Sequence, residues 1–242
     1  MIRPTVEDAA SDPATPCEKT KPLGLVQPCA FGGGDTQFAV LGDSHAGQLR
    51  SAFDAVARGM GWRGYSIWRN SCSYIARGRE LPEPEFSQCV RFKQDVKRWF
   101  AQHPQVKTVF VVGLTRDAGS DPVDGYLDAW KALGDRRIVV VRDTPEMTEQ
   151  TLPCVQEAVA AGKSPGPACA RPRADALPPD PAIEAAGRLG LQTIDLTRSF
   201  CDQTSCFPVI GGVLAYKDLT HVTPSFARTL GPYLLQAVRA LG

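Results

Sequence analysis

The residues best suited to chemistry lie near the two ends of the chain. The apolar run of FAVLGDSHA ends in Gly42-Asp43-Ser44-His45 and passes straight into a helical pattern. A serine at such a junction carries its hydroxyl outside the sheet. Its N–H stands at a helix start, where developing negative charge is stabilised. A hydroxyl is a weak nucleophile until a base takes its proton. Imidazole does this near neutral pH, and the chain has three histidines: His45, His103 and His221. His221 closes the stretch Asp218-Leu219-Thr220-His221, so an acid three residues earlier is placed to fix its tautomer. Ser44, His221 and Asp218 therefore read as nucleophile, base and orienting acid of an activated-serine site. Singly, Asp43 or Ser44 also fits an N-cap, Asp218 a turn, and His221 a surface histidine. His103 at a helix end reads as an ordinary histidine, and His45 as a packing or hydrogen-bonding neighbour of Ser44.

These residues need elements to position them. QFAVLGD, RGYSIWRN, VKTVFVVGL, RRIVVVRDTP and LQTIDLT are short apolar runs that predict buried strands. Helical patterns alternate with them: 44–61, a second marked by Val90, Val96, Trp99 and Phe100, a third opened by Pro122, then PAIEAAGRLG and an amphipathic C-terminal helix. A small hairpin is expected around Gly211-Gly212. Alternating strands and helices predict an α/β fold with a central parallel sheet and helices on both faces. Ligands bind such sheets at the carboxyl ends of the strands. That end receives Gly42–His45, Asn70-Ser71-Cys72 and Gly113-Leu114-Thr115-Arg116, and a C-terminal helix can return Asp218–His221 beside the first strand. Residues 1–36 read as an irregular lead-in, 37–242 as one domain, and about 145–180 as a Pro-rich insertion with little regular structure.

Lys and Arg total 27 against 26 Asp and Glu, a formal charge of +1, so no basic excess suits a nucleic acid. No run approaches the ~20 apolar residues of a membrane span. Three histidines without ligand spacing imply no metal, and GGG at 32–34 lacks the lysine of a phosphate-binding loop. The eight cysteines contain no CxxC pair and fall into four local couples. They predict disulfides Cys17–Cys29, Cys72–Cys89, Cys154–Cys169 and Cys201–Cys206. Disulfides imply an oxidising compartment, and with it a signal or membrane segment N-terminal to residue 1.

GDSHA after a buried strand, with DLTH before a final helix, resembles the SGNH/GDSL hydrolase superfamily. LGDSHA, the cysteine of NSCSY, the strand VFVVGL and the tail YKDLTHVT resemble more particularly the SGNH domain fused behind bacterial acyltransferase-3 membrane domains. The resemblance implies a flavodoxin-like three-layer sandwich. It assigns Ser44 as nucleophile and oxyanion donor, His221 as base and Asp218 as its orienting acid. The superfamily's second-block glycine has no clean counterpart, since Asn70 or Ser71 occupies that loop. Thr115 stands where the third-block asparagine belongs. Asn70, Ser71, Thr115 and Arg116 are thus the candidates to complete the oxyanion hole.

The same resemblance implies a periplasmic, membrane-tethered O-acyltransferase without a cofactor. Its acyl group would come from an N-terminal acyltransferase-3 transmembrane domain and pass to a surface-glycan hydroxyl. As a fragment the domain is expected to be monomeric. A secreted or periplasmic carbohydrate acetylesterase is the alternative. A third reading is a non-catalytic glycan-binding module using Trp62, Trp68, Trp99 or Trp130, which the intact Ser44–Asp218–His221 set argues against.

Overall fold

A computed structural model describes residues 2–117 and 119–242. The strands of its main sheet are β1 (Glu18–Lys19), β2 (Cys29–Gly32), β3 (Gln37–Gly42), β4 (Arg63–Trp68), β5 (Val106–Val112), β6 (Arg137–Val141) and β7 (Gln192–Ile194). They form one seven-stranded sheet in the order β1-β2-β4-β3-β5-β6-β7. From β4 to β7 every neighbouring pair is parallel, whereas β1 and β2 add on antiparallel at the β4 edge. The parallel part has the strand order 2-1-3-4-5 of flavodoxin-like sheets, whose ligands bind beyond the carboxyl ends.

Strand alternation distributes the core to both faces. Phe38, Val40, Phe110, Val112, Val139 and Val141 point to one side. They meet Phe53 and Val56 of α2 (Arg50–Met60), which continues the short α1 (Ser44–Gln48). Ala39, Leu41, Val109, Val111 and Val140 point to the other. There they meet Phe92, Val96 and Trp99 of α3 (Glu85–Gln102), Trp130 of α4 (Pro122–Lys131), and the alanines of α6 (Pro181–Leu189), which follows α5 (Thr151–Ala160). The C-terminal helix α7 (Pro224–Ala240) closes the first face with Phe226, Leu230 and Leu234. All four expected disulfides are formed. The hairpin pairs Val209–Ile210 with Val213–Leu214, and Gly211 and Gly212 both take positive φ at its turn.

Four expectations need correction. The lead-in is not wholly irregular: β1 and β2 extend the sheet, because Ala30 and Phe31 are apolar neighbours that bury on opposite faces. The sheet is accordingly mixed at that edge. The 145–180 segment contains α5, whose Val155 and Ala158 recur at helical spacing and bury in a small third core; Pro153 falls in the first turn, where its missing N–H costs nothing. The last strand is only three residues and mostly exposed, as an edge strand paired on one side. Val90 is 42% exposed, because the buried stripe of α3 runs through Cys89, Phe92, Val96 and Trp99.

Gly42 ends β3 against β5, where a methyl group would stand 1.7 Å from the Val112 carbonyl oxygen. Gly42→Ala is expected to lower stability by about 2 kcal/mol through overpacking. The urea midpoint measures it, and an unchanged midpoint would show that the strands part without cost.

Candidate active site

Ser44 is the first residue of α1, immediately beyond β3. His221 and Asp218 lie in the loop that leads into α7. Asp218 Oδ1 accepts the Thr220 N–H at 2.9 Å and the His221 N–H at 2.8 Å, a tight local turn that turns the acid onto its own imidazole. The His221 Nδ1 is 2.9 Å from Asp218 Oδ2, and its Nε2 is 2.7 Å from Ser44 Oγ. A carboxylate only accepts hydrogen bonds, so Nδ1 carries the proton and Nε2 is left to accept from the serine hydroxyl. Burial alone would raise the Asp218 pKa. Its bonds to the His221 ring and to the two N–H groups outweigh this and hold the carboxyl at about 2.

The loop is fixed to the helix that carries the serine. Gln48, one turn beyond Ser44, accepts the Val222 N–H at 2.6 Å, and Met147 N–H donates to the Leu219 carbonyl at 2.7 Å. One helical turn therefore registers the serine against the histidine loop.

Two buried carboxylates organise the neighbouring loops. Asp43 Oδ1 caps α1 through the His45 N–H at 2.8 Å. Its Oδ2 accepts Ser73 Oγ at 2.6 Å and the Leu114 N–H at 2.8 Å. Asp143, just beyond β6, holds His45 Nδ1 at 2.5 Å through Oδ1 and the Thr115 N–H at 2.8 Å through Oδ2. Burial opposes a charge on His45, but Asp143, with Asp43 and Asp218 near it, outweighs burial and raises the His45 pKa. The His45 and His221 rings lie 5.0 Å apart. His103 stacks on Trp99 at 4.0 Å, away from these groups.

The remaining candidates are placed unevenly. Asn70 and Ser71 line a groove beside Trp68. Ser71 has φ 55°, the left-handed region that favours glycine, in the loop where the resemblance expects a glycine. The Thr115 N–H is engaged by Asp143, and Arg116 is paired with Glu146 through two hydrogen bonds. Trp99 and Trp130 are core residues, whereas Trp68 is exposed. Among the described residues no group of three or more His, Cys, Asp or Glu is arranged to hold a metal ion. No helix among them is long and apolar enough to cross a membrane.

Sequence reasoning took Asp43 only as a cap and overlooked Asp143, Ser73 and Gln48. Asp143 had a visible signal: an acid directly after the apolar run RIVVVR, at the strand end where ligands gather. Removing one partner of a buried pair leaves the other uncompensated. Asp143→Ala is accordingly expected to cost about 3 kcal/mol. Urea unfolding checks it, and a loss below about 0.5 kcal/mol, the size of an ordinary surface substitution, would remove the pair from the architecture of the site.

A family model described as "SGNH domain (fused to AT3 domains)" matches residues 16–236. A search of the curated proteins found no match. Among solved structures, the periplasmic domain of a lipopolysaccharide acetyltransferase from Salmonella ser. Paratyphi A is similar with a TM-score of 0.63 and 14% identity, covering 88% of this chain and 86% of that one. An inhibitor-bound aryl esterase from M. smegmatis is similar with a TM-score of 0.51 and 14% identity, covering 86% of this chain and all of the other. At these identities the structures establish a shared fold. The family match covers most of the sequence, from the lead-in to α7, and the chain belongs to the family of SGNH domains fused to AT3 domains.

Proposed function

We propose that this domain transfers an acetyl group to a hydroxyl of a bacterial surface polysaccharide, such as a lipopolysaccharide O-antigen, through an acyl-Ser44 intermediate. The observation that carries the proposal is the 2.7 Å contact between His221 Nε2 and Ser44 Oγ, in a chain of the SGNH family. Ser44 Oγ attacks the donor carbonyl carbon while Nε2 takes its proton. The tetrahedral oxyanion meets the Ser44 N–H, which as the first N–H of a helix has no intrahelical acceptor. Collapse breaks the bond to the donor's leaving group, which receives the proton from Nε2. A sugar hydroxyl then gives its proton to the same nitrogen and attacks the acyl-serine, and the proton returns to Ser44 as the ester leaves. Asp218 holds the imidazole in the required tautomer throughout and stabilises its positive form. Ser71, in its left-handed conformation, and Asn70 are the candidates for the second oxyanion contact.

The fusion recorded in the family description makes an acyltransferase-3 membrane domain the natural source of the acyl group. The four disulfides suit a periplasmic setting. Hydrolysis is the second reading, favoured by one observation: the His221 and Asp218 side chains are 25% and 44% exposed, so water reaches the base. Water in place of the sugar makes the same cycle an acetylesterase.

Turnover of p-nitrophenyl acetate by the oxidised protein tests the nucleophile. Ser44→Ala is expected to lower it on the order of 10³-fold or more, and Asp218→Asn on the order of 10²-fold or more. Equal rates in wild type and Ser44→Ala would refute an acyl-Ser44.

The depressed Asp218 pKa also has a sign. A carboxyl held below its unfolded value of about 3.9 contributes stability above that pH and loses it as pH falls toward the folded value. Below the histidine range, the stability difference between wild type and Asp218→Asn is thus expected to shrink as pH falls from about 5 toward 3. Urea unfolding across that range reads it; a difference that grows on acidification would contradict the hydrogen-bonded carboxylate.

A further inference from the structure

Trp68 is the last residue of β4 and pairs in register with Gly42, two positions before Ser44. The Arg69 N–H donates to the Gly42 carbonyl at 3.3 Å, which carries the chain past the same strand end. The indole lies against Gly47, where a β-carbon would come within 2.7 Å of the ring. Glycine there lets the ring rest on α1 within one turn of Ser44. The indole remains 43% exposed, beside a groove of about 890 Å³. That volume lies within the range of built ligand sites.

The groove has preformed walls. One is the segment 17–29, closed by the Cys17–Cys29 disulfide and fastened to α3 by the Leu25 N–H, which donates to buried Asp95 at 2.7 Å. The other is Trp68–Ser71, which runs into the candidate oxyanion loop. Lys19, Arg50 and Arg69 line it, against Glu85. Arg69 donates to Gln88 and Arg50 to the Thr15 carbonyl. These neutral acceptors fix both guanidinium groups, and Arg50 lies in addition within the field of Asp54, one helical turn on. Among the described residues neither has a carboxylate at ion-pair distance.

From this arrangement we infer that the groove is the acceptor subsite and that its occupant is an acidic oligosaccharide, with one sugar ring on the Trp68 indole and carboxylates on Arg69 and Arg50. The inference rests on the glycan-acceptor reading above. A sugar ring presents partly positive C–H edges, which the electron-rich face of an indole attracts. Guanidinium groups match carboxylates in geometry as well as charge. A ring seated on Trp68 brings its chain to the strand end that carries Ser44.

The test is direct binding, measured in the Ser44→Ala protein so that it is independent of turnover. Hexagalacturonate, an acidic probe, and maltohexaose, a neutral one, are titrated by calorimetry. Hexagalacturonate is expected to bind at least about tenfold more tightly, and to weaken when salt rises from 0.05 to 0.5 M, as exposed charges are screened. Trp68→Ala is expected to weaken it by about tenfold or more, Trp68→Phe by less than about threefold, and Arg69→Gln to reduce the preference for the acidic probe. Thermal unfolding verifies that each variant is folded. Equal affinity for the two probes, binding of neither, or unchanged binding by folded Trp68→Ala would overturn the assignment. Loss of the acyl-Ser44 reading would show instead as Ser44-independent esterase turnover, with this binding intact.

Discussion

Three loops of the site meet on one buried carboxylate. Asp43 accepts from the His45 N–H, the Ser73 hydroxyl and the Leu114 N–H, and is 1% exposed. A charge this deep without partners would be costly; three directed donors replace the water it loses. The consequence is geometric. The start of α1, the loop after β4 and the loop after β5 cannot move independently, because each gives a hydrogen to the same group. The residue before the proposed nucleophile is thus a cap, a strand terminator and a cross-loop tie at once.

Asp143 repeats the device one layer away. It takes His45, Thr115 and its own neighbour Thr144, while its N–H is held by Asp180. Neither carboxylate has a Lys or Arg partner among the described ion pairs. Backbone N–H groups and an imidazole do the work that a guanidinium does elsewhere. Two histidines within 5.0 Å of each other thereby have different surroundings. His45 is fully buried with Nδ1 on Asp143 and is closed to solvent. His221 is partly exposed with Nε2 on Ser44 and is open to it.

The sequence made the parallel part of the fold legible because each central strand is a continuous apolar run, and such runs have few other homes. The meeting of Ser44, Asp218 and His221 was legible because Gly-Asp-Ser-His ends a buried run and Asp-x-x-His precedes the last helix, and two of only three histidines fall in these stretches. The lead-in strands were not: β1 is two residues long, and β2 is recognisable only through its antiparallel partner β4. α5 was masked by the surrounding prolines, although Leu152, Val155 and Ala158 keep helical spacing. The ties from Asp43 to Ser73 and Leu114 span 30 and 71 residues, and that from Asp143 to His45 spans 98. No local pattern encodes pairings of that range. They become visible only when the sheet brings the strand ends together. Ser71 is the complementary case. Its residue type argues against a glycine-like backbone, yet it takes a φ of 55° in the loop that runs from Trp68 to the Cys72–Cys89 disulfide.

The openness of the site bears on transfer against hydrolysis. In the proposed cycle an acyl-Ser44 would lie beside a half-exposed Asp218 and a partly exposed His221, open to water. Transfer prevails only if an acceptor hydroxyl is held beside the ester often enough to outrun that water. Holding a reactant in place raises its effective concentration by orders of magnitude. On the inference above, the groove lined by Trp68, whose indole packs on Gly47, would supply such a hold, and its occupant would also cover the approach from that side. In this reading no lid is required. Esterase and transferase activities become the empty and filled states of one site, and the ratio between them follows the occupancy of the surface beside Trp68.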